Sequence, residues 1–252
     1  MVFSWLPSGE WQREERALMA MIPQEPGLAR AALARLAIGR GHFAEAARWL
    51  QEAAIESQLS RGDRAIILIS SGWLGLEDAR PGQALEDLKA AAADLPADAP
   101  ERPLLDALMA EAFLRLGARP EAEASARRAQ QRAASSRDAI ATARACRVEA
   151  ELAREEGDLR RAERLFQQAV QHAEEAAHPF ELGQSLLALG AFLWRRAESK
   201  DRESAGHALA LARTWLASLP AEAKLREVDV YAGLLASRPM EVPTSTPPSA
   251  PE

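Results

Sequence analysis

Apolar and polar residues along this chain follow the period of a helix, and no strand-like alternation persists beyond a few residues. Ala, Leu, Glu, Arg and Gln dominate, and these are good helix formers. Breakers interrupt them at intervals, at Pro26-Gly27, Gly39 to Gly41, Pro81-Gly82, Gly117, Gly157 and Pro179 among others, leaving one or two helices between each. The turns carry a pattern. After Gly41 come Phe43, Ala46, Leu50 and Ala53; after Gly117 come Arg119, Ala122, Ala126 and Ala129; after Gly157 come Leu159, Ala162, Phe166 and Ala169. The offsets +2, +5, +9 and +12 return after Ala79 (Pro81, Ala84, Leu88, Ala91) and after Lys200 (Arg202, Ala205, Leu209, Ala212). The five anchors lie 38, 38, 40 and 43 residues apart, which predicts a stacked repeat array.

Each repeat reads as a helical hairpin. Offsets +5, +9 and +12 share one face of the second helix. Alanine at +5 lets the first helix approach, and the usually larger residue at +9 fills the space beside it. A small residue seven before the anchor marks the first helix: Ala34, Gly72, Ala110 and Ala150, with Gly190 as the counterpart in the fifth repeat if its turn is three residues longer.

"LAIGRGHFAEAARWLQEA" (Leu36 to Ala53) and "AREEGDLRRAERLFQQA" (Ala153 to Ala169), with "FLRLGARPEAEASARRA" (Phe113 to Ala129) less closely, resemble the tetratricopeptide repeat. The resemblance covers residues 28 to 217 as five repeats. It implies an all-α, right-handed α-solenoid of about five hairpins with a concave groove lined by the first helix of each. The period departs from the common repeat of about 34 residues, as in the longer repeats of bacterial regulators. The organisation expected is an N-terminal capping helix within 1–27, the solenoid over 28–220, a capping helix over 221–237 and a disordered Pro/Ser/Thr-rich tail over 238–252. Trp11, Leu18, Met19 and Ile22 are expected to cover the first repeat, and Leu225, Val228 and Leu234 the last.

Composition narrows the function. A net charge of −6 makes nucleic acid a poor partner. The longest apolar run, Ala17 to Ile22, is too short for a membrane span, and no secretory signal is visible, so the expected compartment is the cytoplasm. The scarcity of lysine beside arginine reads as codon bias in a GC-rich genome. A single cysteine, Cys146, excludes an intrachain disulfide and reads as a buried structural thiol. His42 stands in a turn whose other copies lack histidine, His172 and His178 are six apart and miss the spacing of a helical metal pair, and His207 is isolated. There is no phosphate loop and no Ser-centred elbow. The expectation is a protein that is not an enzyme and holds no metal or cofactor.

What remains is a surface. In the repeat register, positions near the small residue of the first helix place Arg35, Ile69, Trp73, Leu76, Glu111, Arg147, Glu151, Arg154 and Trp194 on the groove, with Arg144 beside them. Its first half is apolar, with Trp73 as anchor or as core between repeats. Its second half carries arginines suited to acidic groups. The Lys and Asn residues with which some family members clamp a terminal carboxylate are missing. The function expected is non-catalytic binding of a partner peptide or helix, as adaptor, scaffold or regulatory subunit. The alternatives are a sensory domain that binds a small ligand or signal peptide, then self-assembly, then, weakest, an enzyme.

Overall fold

The computed structural model describes residues 11–56, 59–196, 201–219 and 221–237. The side chain of Trp11, the turn at Lys200 and the tail 238–252 lie outside them. Among the described residues there are twelve helices and no strand: α1 (Trp11–Met21), α2 (Pro26–Gly39), α3 (Phe43–Ala54), α4 (Arg61–Glu77), α5 (Pro81–Asp94), α6 (Arg102–Arg115), α7 (Arg119–Ser136), α8 (Ala139–Glu155), α9 (Leu159–Glu175), α10 (Pro179–Arg196), α11 (Asp201–Ala217) and α12 (Glu222–Ser237). Helices α2 to α11 pack as five consecutive hairpins, and each first helix also packs on that of the next repeat, more weakly between α4 and α6 and between α8 and α10. This is the all-α, solenoid-like array that the repeat predicts.

The turns are made by backbone hydrogen bonds. Gly41, Gly117 and Gly157 hold φ of 75°, 75° and 84°, the left-handed region that glycine enters at low cost. The next N–H reaches back to the helix in each: His42 to the Ala37 carbonyl, Ala118 to Phe113 and Asp158 to Ala153, all at 2.9 Å. Ala79 makes the same turn at φ 54°, with Arg80 donating to Gly75 at 2.7 Å. The helices start on residues that satisfy free N–H groups. Ser60 and Asp63 form a capping box, Asp138 and Asp158 cap α8 and α9, and proline opens α2, α5, α6 and α7.

The +5 and +12 alanines are fully buried in all five repeats. The small residue of the first helix sits on the +9 side chain. A Cβ on Gly72 would stand 2.6 Å from Leu88 Cγ, and one on Gly190 would stand 2.8 Å from Leu209 Cγ. Gly190 is therefore the fifth counterpart, ten residues before its anchor instead of seven.

The flanks differ from expectation at Met19, at Leu234 and in the reach of α12. In α1, Leu18 is buried and Met19 is 47% exposed, while Glu15 pairs with Arg40 of the first repeat at 2.8 Å. Helix α12 packs on α11 and α10, with Val228 fully buried, but Leu234 faces solvent and Leu235 takes the inner place. It also does more than cover the last repeat. Its first turn lies against the first repeat, where a Cβ on Gly41 would meet the Ala223 nitrogen at 3.2 Å. Lys224 pairs with Glu77 of the second repeat at 2.9 Å. Its other end meets the fifth repeat: Arg202 donates to the Leu235 carbonyl, and Tyr231 lies edge-on to Trp194 at 5.8 Å. Helix α12 bridges the two ends of the array.

Candidate functional site

The first helices converge on the inner side. Trp73 of α4 meets Phe180 of α10 with ring centroids 6.3 Å apart, so repeats two and five touch. The Arg144 guanidinium of α8 lies over the Trp73 ring at 4.7 Å and binds Glu181 of α10 through Nε at 2.9 Å and Nη2 at 2.5 Å. It also reaches Glu111 of α6 at 3.3 Å. Arg147, one turn along α8, binds Glu181 and the Ser185 hydroxyl, each at 2.9 Å.

Glu77 and Glu181 are both buried. Burial by itself would raise their carboxyl groups. Arg144 and then Arg147 outweigh it at Glu181, and Lys224 and then Arg144 outweigh it at Glu77, holding each at about 2. Burial drives the His178 imidazole below its ordinary range against the pull of Glu181. Its Nδ1 accepts from the Glu181 N–H at 3.3 Å, so neutral His178 opens α10.

Beside this network, under α12, lies a cavity of about 520 Å³. Its walls come from α6, α8 and α10, with Phe166 of α9, and its roof from Lys224, Glu227 and Tyr231, one face of α12. Arg115, Arg144, Arg147, Arg154, Arg195 and Lys224 line it, against Glu111, Glu151, Glu155 and Glu227. The apolar part of the wall includes Leu114, Val148, Phe166 and Leu187.

The structure thus brings Glu111, Arg144, Arg147, Glu151 and Arg154 around one chamber. Ile69, Trp73 and Leu76 are buried in the core, and Arg144 is 1% exposed, so none of these four offers free surface. Arg35 lies apart, its Nε on the Ser70 hydroxyl at 2.7 Å. Trp194 is half-buried against Tyr231.

Sequence reasoning missed Glu77, Arg115, Glu155 and Arg195. They occupy one register position, five after the small residue, and alternate in sign. Extending the register by that step finds them. Glu181, Gln184, Lys224 and Tyr231 carry no repeat signal.

Cys146 is buried, and burial pushes its thiol up to about 12, which disfavours the thiolate. Among the described residues no group of three His, Cys, Asp or Glu side chains is placed to hold a metal ion, and no helix is long and apolar enough to cross a membrane.

Fold and chamber together define an all-helical array of hairpins whose inner side is closed by its own last helix. No family model and no curated protein matches the sequence. Among solved structures, the chain is similar to BtubC (BKLC) from P. vanneervenii, with a TM-score of 0.51 and 15% identity over 96% of each chain. That likeness concerns the fold.

Proposed function

We propose that this chain is a non-catalytic protein-binding module of tetratricopeptide-repeat type, an adaptor, scaffold or regulatory subunit, whose partner presents an amphipathic helix to the concave side. The observation that carries this reading is α12. The inner side already takes one such helix, with Leu225, Val228 and Leu235 turned to the core and Lys224 on Glu77. A partner helix with apolar residues at this spacing and a cation for Glu77 would take its place. The arginines and Glu151 around the chamber would pair with its polar face.

The test is capture of partners by the full chain from a lysate of its host, wild type beside Lys224→Glu, with a synthetic peptide of residues 221–237 as competitor. The substitution sets like charge against Glu77 and loosens α12. A partner enriched by the variant and displaced by the peptide is the expected result. A partner captured equally by both chains and indifferent to the peptide binds elsewhere and overturns the reading.

A further inference from the structure

We propose that the chamber under α12 is a binding site for a small organic molecule bearing an oxyanion, a carboxylate or a phosphate. This inference is independent of any protein partner.

Three observations carry it. The cavity, about 520 Å³, lies within the range of small-molecule sites and is walled by α6, α8 and α10 with Phe166 of α9, and roofed by α12. Six cationic side chains line it against four acidic ones. Two of these cations are fixed by carboxylates that do not line the cavity themselves, Arg147 by Glu181 and Lys224 by Glu77. Cations held from behind are already oriented toward an incoming anion. The third observation is Gln184. It lines the chamber, its Nε2 is buried, and that atom has no hydrogen-bond partner among the described residues. A buried unpaired donor costs stability, and an anionic oxygen in the chamber would satisfy it. Leu187 and Val148 give the organic part of the ligand an apolar wall.

The site also says what a ligand does to the protein. Its walls belong to repeats three to five and its roof to α12, so binding ties α12 to the array and raises the stability of the closed form.

The experiment is isothermal titration calorimetry and thermal unfolding of the full chain with citrate and with glucose 6-phosphate, against glucose and against sodium chloride at equal ionic strength. One or both anions should bind saturably at one site per chain and raise Tm, while the two controls should not. The carboxylate and phosphate arms show which source the site prefers. Gln184→Leu removes the unpaired donor, so it should leave the free protein at least as stable while weakening the anion about tenfold, the usual effect of losing a hydrogen bond to a charged group. Arg154→Gln, at a position 32% exposed, folds without disturbing the buried network and should weaken binding by a similar factor. No saturable binding of either anion, or binding undiminished in both variants, overturns the proposal.

Discussion

At the scale of single residues the turns hold the clearest lever. Gly41, Gly117 and Gly157 take positive φ as glycines, but Ala79 takes it with a Cβ. The left-handed region costs a non-glycine residue about 1–2 kcal/mol, and the extra freedom of glycine in the unfolded chain returns about 0.5–1 kcal/mol of that. Ala79→Gly should therefore stabilise the protein by about 0.5–1 kcal/mol, read as a higher urea midpoint at unchanged slope. The opposite substitution tests the packing. At Gly72 a new Cβ would meet Leu88 Cγ at 2.6 Å and the Ala84 carbonyl oxygen at 3.2 Å, and neither is the free end of a flexible side chain. Gly72→Ala should cost about 1–3 kcal/mol by overpacking in the same assay. No loss would mean that α4 and α5 can separate without penalty.

Among the elements, α12 joins the array through one fully buried side chain, Val228, and one buried ion pair, Lys224 on Glu77. That makes its hold dependent on pH. Glu77 and Glu181 sit at about 2 in the folded chain against an ordinary 4.5, so the unfolded chain binds more protons between those values. Their stabilisation is complete above about pH 4.5 and is lost as pH falls toward about 2. His178, lowered from 6.5, acts in the same direction, because its neutral form is the folded one and acid favours the unfolded chain. Urea midpoints from pH 7 to pH 3 should drop steeply for the wild type. Glu77→Gln should start lower at neutral pH and fall less steeply below pH 4.5, and an unchanged slope would remove Glu77 from the account. The same elements show what a sequence makes legible. Hairpins, turns and groove positions could be read because each repeat restates the same packing problem: Ala46, Ala84, Ala122, Ala162 and Ala205 answer it alike. The place of α12 could not be read, because its partners Gly41 and Glu77 lie far along the chain and no second copy of the contact exists to set a period. Trp73 stood between anchor and core for the same reason, since its neighbour Phe180 comes from three repeats later.

For the whole molecule, these long-range contacts change how the array should unfold. An open solenoid is close to a one-dimensional stack, in which each repeat feels only its neighbours and ends can melt alone. Here repeats two and five meet through Trp73 and Phe180, with Arg144 of the fourth repeat over the indole, and α12 fastens repeats one, two and five. Loss of either end exposes the buried charges Glu77, Arg144 and Glu181, which are costly to leave unpaired. The wild type should accordingly unfold in a single urea transition, with tryptophan fluorescence and far-UV circular dichroism coincident. Trp73→Ala removes the bridging ring and leaves Arg144 without its aromatic cover. It should cost about 3–5 kcal/mol, as large aromatic truncations in cores do, and it should also separate the two probes or lower the slope, because the halves on either side of the bridge then melt independently. That second readout distinguishes coupling from ordinary core loss. A variant that is merely less stable, with coincident transitions and an unchanged slope, would show that α12 and the charge network join the ends without Trp73.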